Sequence, residues 1–158
     1  RKSFAKGFKR DIRAGAELIA QTDSLLERSA LDALAIAGKA GDAVAGFSKV
    51  EAALGRSPVL AVLHAKEAAD DGIRKLHAAL HRRFAEEAAN ILTISDFTSQ
   101  QLDLALGRAN VVHAALLAGP AGNSFIARYL RMIRFRTGDL GKPDHDSARR
   151  EPQGLEAE

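Results

Sequence analysis

His77 and His81 stand four residues apart, a spacing that sets two imidazoles on one face of a helix, where they could ligate a metal ion. Zinc proteases with that spacing place Glu directly after the first His and add a third ligand. Here Ala78 follows His77, so the pair reads as a solvated helix face and no metal is expected. His64 ends one apolar run and His113 lies within another, each without an acidic or nucleophilic partner at a telling spacing. Both read as satisfied sheet histidines. The carboxylates of Asp70 and Asp71 are adjacent in sequence and point apart, which suits the cap of a helix start. The glycine patterns of phosphate loops and dinucleotide sites are missing, and so is the nucleophile elbow of hydrolases. From these residues we expect no enzyme, no cofactor and no small-molecule substrate.

Phosphate-seeking groups are more informative. Gly46-Phe47-Ser48-Lys49 has the makings of a loop that turns into a helix start. Free backbone donors there attract phosphate, Gly46 allows close approach and Lys49 adds charge. The same residues also fit a plain turn, a packed Phe47 and a capping Ser48, and composition alone does not choose. Arg74, Lys75, Arg82 and Arg83 lie on a second helical segment, and Arg128, Arg131, Arg134 and Arg136 on the last. Planar guanidinium forks suit phosphate. Solvation and cations near helix C-termini explain these arginines equally simply.

Around these residues lies a chain of 158 residues with 46% apolar content, enough for one domain with appendages. Aromatic residues make up only 5% and Trp is absent, which argues against a platform that stacks single-stranded bases. There is no Cys, in keeping with a reducing cytoplasm. No apolar run approaches the roughly 20 residues of a membrane span, so no membrane partner is expected. The net charge of +3 conceals a polarity. Residues 1–14 hold six cations against Asp11, or +5, while residues 139–158 hold three cations against six acids, or −3. The remaining +1 belongs to the middle of the chain.

Periodicity supplies the elements. Phe4, Phe8 and Ile12 are spaced for a short helix that Gly7 and Gly15 interrupt. A clear helix runs from Glu17 to the Gly38-Lys39-Ala40-Gly41 stop, with Lys39 favourable to the dipole. Strands are expected at Ala43–Ala45, Val59–Leu63, Ile91–Ile94 and Val111–Leu117. Between them fall helices opened by Ser48 with Glu51 and closed by Gly55, by Asp70-Asp71, and by Thr98 with Gln101 and closed by Gly107. Asn123 or Ser124 caps the last helix, and the apolar pattern stops at Gly138. Alternating strands and helices predict a three-layer α/β/α sandwich with a mixed, mostly parallel sheet of about four strands, the last a candidate for antiparallel pairing. Three segments follow: a basic 1–14, a domain at 15–138, and an acidic, disordered tail at 139–158.

Leu31-Asp32-Ala33-Leu34-Ala35-Ile36-Ala37-Gly38-Lys39-Ala40-Gly41, then Val44-Ala45-Gly46 and the helix after it, resembles the opening of the ribosomal L-seven-Ae and L-thirty-e superfamily. Leu102 to Leu106, Gly107-Arg108-Ala109-Asn110 and Val111-Val112-His113-Ala114 resemble its later helix, loop and closing strand. The likeness spans about Leu25 to Tyr129. It is nearest to bacterial proteins in which this fold follows a YlxR-type domain, whose end resembles Phe4-Ala5-Lys6-Gly7-Phe8-Lys9-Arg10; residues 1–14 would be its remnant.

The resemblance implies a cytoplasmic, translation-linked module that binds structured, possibly ribosomal, RNA without catalysis. Its RNA surface would comprise Gly46, Phe47, Ser48, Lys49, Gly107, Arg108, Ala109 and Asn110. Kink-turn binders carry Asn then Glu after the Gly-x pair, and Lys three residues further. This chain has Ser48, Lys49 and Ala52 there. Lys in place of Glu removes an acceptor for guanine edges and adds a phosphate-seeking cation, so affinity through backbone and shape is expected. The alternative is a protein-protein interaction module that keeps the fold without RNA.

Overall fold

The computed structural model describes residues 2–138, with side chains from Lys6 onward. The acidic segment 139–158 lies outside the described residues. Helix α1 spans Lys2–Lys39 without a break. Gly7 and Gly15 do not interrupt it: each costs about 1 kcal/mol against Ala, which the Ala, Leu, Lys, Arg and Glu around them offset. Gly41 ends it at φ 80°, with Asp42 N–H bonded to Ala37 O at 2.8 Å and Gly41 N–H to Gly38 O at 3.3 Å, the paired closure that a left-handed glycine permits.

Strand β1 (Ala43–Ala45) leads into α2 (Phe47–Arg56), β2 (Val59–His64) and α3 (Asp70–Phe84). A short 3-10 turn (Ala85–Asn90) precedes β3 (Leu92–Ile94), α4 (Ser99–Leu106), β4 (His113–Leu117) and α5 (Pro120–Thr137). Two expected helix starts move, and a third, α3, begins at Asp70 as expected but without the expected cap. Helix α2 is capped by Gly46 with no side-chain bond, so the Ser48–Glu51 box does not form and Gly55 lies within the helix. Gly46 N–H is already bonded to His113 O, and its φ of 102° swings the chain straight into the helix at Phe47. Asp70 and Asp71 cap nothing; Asp71 instead pairs with Lys75 at 3.0 Å and Arg74 at 3.5 Å. Helix α5 starts at Pro120 behind Gly119, ahead of Asn123 and Ser124, because proline's missing N–H costs nothing in a first turn. The Thr98–Gln101 box does form, and Gly107 closes α4 at φ 64°.

The sheet order is β1-β4-β2-β3. The α/β/α sandwich and the mixed four-stranded sheet are as expected, but the sheet is not mostly parallel. Only β2–β3 is a parallel pair; β4 is antiparallel to both β1 and β2. Strands β1, β2 and β3 do run one way, as crossover helices require, and β4 inserts between the first two and replaces their contact with two antiparallel ones.

Side chains alternate between the two faces of this sheet. Ala45, Ala61, Leu63, Ile94, Ala114 and Leu116 meet α1, α4 and α5 through Ala30, Leu34, Ala37, Leu102, Phe125 and Met132. Val59, Val62 and Ala115 meet α2 and α3 through Val50, Leu54, Leu76 and Leu80. An irregularity between Val59 and Ala61 resets the alternation in β2. The arginines of the outer helices tie these layers together. Arg83 donates to the final carbonyls of α2 at Ala53 and Leu54, Arg128 to Ser29 O, and Arg136 bridges Asp23 and Glu27 of α1.

Candidate nucleic-acid interface

Because β1, β2 and β3 run the same way, their C-terminal ends share one edge of the sheet, and β4 begins there. The starts of α2, α3 and α4 gather at that edge. His64, the last residue of β2, pairs in register with His113, the first of β4. Their Nδ1 atoms lie 2.8 Å apart, so one imidazole donates its proton and the other accepts it. Both rings are buried. Burial pushes both below the ordinary histidine range, His64 to about 4 with the further effect of His113 and His77. The Phe47 ring meets His113 edge-on, with centroids 5.9 Å apart. On the other side, a Cβ on Gly72 would fall 2.7 Å from His113 Nε2, so the start of α3 tolerates only glycine against that ring.

The turn after α4 is held from several directions. Asp103 Oδ1 accepts Val111 N–H at 2.6 Å, and Asp103 O accepts Arg108 N–H at 3.2 Å. Ser99 Oγ donates to Val111 O at 2.9 Å, and Ala65 N–H to Val112 O at 2.8 Å. Between these anchors Gly107, Arg108, Ala109 and Asn110 are exposed, Asn110 in the left-handed region at φ 56°.

The two stretches singled out from sequence are therefore neighbours. Gly46 N–H bonds to His113 O at 2.9 Å, three residues past Asn110. Lys49 and Arg108 line a single cleft of about 190 Å³ together with Gly38, Ala43, Val44, Ala45 and Leu106. Gly46 and Ser48 are exposed beside it, and Phe47 is half-buried against His113. Among the described residues, neither Lys49 nor Arg108 forms a side-chain hydrogen bond or an ion pair. Both charges face solvent uncompensated.

His77 and His81 lie against one another on α3, exposed, with ring centroids 4.3 Å apart. No group of three His, Cys, Asp or Glu side chains suited to a metal ion occurs among the described residues. No helix there is long and apolar enough to cross a membrane. Two residues escaped the sequence reading. Lys39 and the highly exposed Leu104 border a second hollow that shares Gly38 and Leu106 with the first. Lys39 had a sufficient explanation in its helix dipole, and an apolar residue on an eight-residue helix gives no signal of its own.

No family model and no curated protein matches this sequence. Solved structures do match it in fold. A Giardia lamblia 15.5kD RNA binding protein superposes at TM-score 0.51 and 15% identity, over 70% of this chain and 89% of that one. The chain shares its fold with an RNA-binding protein. A Bacillus halodurans protein of unknown function superposes at TM-score 0.52 and 19% identity, over 63% of this chain and 94% of that one. At such identities the likeness is one of fold.

Proposed function

We propose that this chain is a non-catalytic RNA-binding domain of the L-seven-Ae and L-thirty-e type, which holds structured RNA by phosphate and shape contacts in a translation-linked, cytoplasmic setting. The observation that carries this reading is the shared cleft of Lys49 and Arg108, two unpaired cations brought from opposite halves of the chain. Its frame is rigid, since Asp103, Ser99 and the His64–His113 pair fix the backbone on either side. The imidazoles are already committed to each other, so we assign them no acid-base step. Ser48 and Lys49, standing where kink-turn binders have Asn and Glu, favour backbone contacts over reading of base edges.

Titration of a labelled RNA stem-loop carrying an asymmetric internal loop tests this. The Lys49→Ala/Arg108→Ala double variant should weaken binding on the order of tenfold or more, and lower the slope of log K against log salt by roughly 1.5, since each lost phosphate contact removes about 0.7–0.9. Its far-UV circular dichroism should match the parent, because neither side chain is bonded within the fold. Unchanged affinity in the folded double variant rejects the surface. The protein-interaction reading draws on one observation, the exposed Phe8, Ile12, Leu18, Ile19 and Leu25 along α1. A chain that retains no RNA even at low salt decides for it.

A further inference from the structure

The cleft holding Lys49 and Arg108 is open on one side. Strand β1 is the edge of the sheet, and the cleft lies along its free side. Asp42 and Gly46 bond to β4 through Leu117 N–H to Asp42 O at 2.6 Å and Gly46 N–H to His113 O at 2.9 Å. By the alternation of an antiparallel ladder, Ala43 and Ala45 between them turn their N–H and C=O groups away from β4, toward the cleft. An edge that offers donors and acceptors side by side suits the ribose 2′-hydroxyl, which both donates and accepts.

Beyond that edge the surface continues as a trough between the ends of α1 and α4. Its floor is Gly38 against Leu106, where a Cβ on Gly38 would come within 3.1 Å of the Leu106 side chain. Its walls carry Lys39 and Leu104, the latter 80% exposed. Three unpaired cations, Lys39, Lys49 and Arg108, thus border two adjoining hollows that meet at Gly38 and Leu106. The ends of α1 and α4 each contribute about −0.5 of an elementary charge through their dipoles, and Asp103 in the last turn of α4 about −1, which leaves roughly +1. The opposite side of the lip, at the start of α3, has no such surplus: Lys66, Arg74 and Lys75 balance Glu67, Asp70 and Asp71.

We infer that bound RNA leaves the lip across the free edge of β1 and runs into the trough between α1 and α4, where Lys39 takes a further phosphate and Leu104 lies against sugar or base. This path rests on the RNA reading above and gives that reading a direction.

Site-specific photocrosslinking in the full chain tests the direction, with the same labelled stem-loop as probe. Leu104→p-benzoylphenylalanine should crosslink to the RNA and Arg74→p-benzoylphenylalanine should not. In parallel, Lys39→Glu should weaken binding several-fold, and Lys39→Ala should lower the salt slope by about 0.7–0.9. Crosslinking at position 74 without crosslinking at 104 overturns the path. So does full affinity of Lys39→Glu when Lys49→Ala/Arg108→Ala has lost it, an outcome that leaves the RNA reading intact. A parent chain that fails to hold the RNA at low salt removes the reading and the path together.

Discussion

The imidazoles of His64 and His113 can lie 2.8 Å apart, Nδ1 to Nδ1, only while they hold one proton between those two atoms. Adding a second proton sets two donors face to face in a buried site. This makes the fold sensitive to acid in a defined window. In the unfolded chain both groups titrate near 6.5, whereas burial holds both lower in the folded state, His64 at about 4. The unfolded chain therefore binds more protons between those values, and stability rises with pH across them. Their contribution is complete above pH 6.5 and drains away as pH falls toward 4. Urea denaturation midpoints measured across that range should fall on the acid side, and His64→Leu/His113→Leu should flatten the fall. A midpoint that ignores pH there contradicts the shared proton. Sequence identified both residues as satisfied sheet histidines but not that each satisfies the other, because that depends on the register of two strands 49 residues apart.

Two capping boxes have the same spacing in the sequence, and only one forms. Thr98 and Gln101 exchange bonds with each other's backbone at 2.9 and 3.1 Å, while Ser48 and Glu51 do not. Thr98→Ala should therefore cost about 1 kcal/mol, and Ser48→Ala should fall within about 0.5 kcal/mol of zero, both by urea denaturation. Equal losses would mean that α2 begins elsewhere. The contrast shows what could be read from local pattern. The four strands and the cores of all five helices follow from apolar spacing and from stops such as Gly41 and Gly107. The start of α2 does not, since Gly46 is fixed by its bond to His113 on a distant strand. The insertion of β4 between β1 and β2 is equally non-local, and it is also what carries Arg108 to Lys49. The sequence alone could name both residues as a pair only through the resemblance. Lys39 lay beyond its reach because nothing along the chain shows that α1 and α4 end side by side.

Seen as a whole, the molecule has one element longer than its body. Arg136, near the end of α5, clamps Asp23 and Glu27 of α1, and every side chain from Lys6 to Gln21 is exposed. Phe8, Ile12, Leu18 and Ile19 face water along this arm, each more than half exposed. A helical stretch of about 15 residues without a packing partner is marginal in water. Hydrogen exchange followed by mass spectrometry should find backbone amides 6–20 almost unprotected, and amides 30–37, under α5 and the sheet, protected to nearly the global stability. Uniform protection along α1 would reveal a partner already seated on the arm. A partner that covered the arm would make the 34 residues from Lys6 to Lys39 a strut of about 50 Å. Anything fastened at its tip would then be held out of reach of the Lys49–Arg108 lip on its own chain. Two grips at the ends of a strut cannot close on one short ligand, so the shape suits spanning two separated points on a large assembly rather than doubling the hold on one.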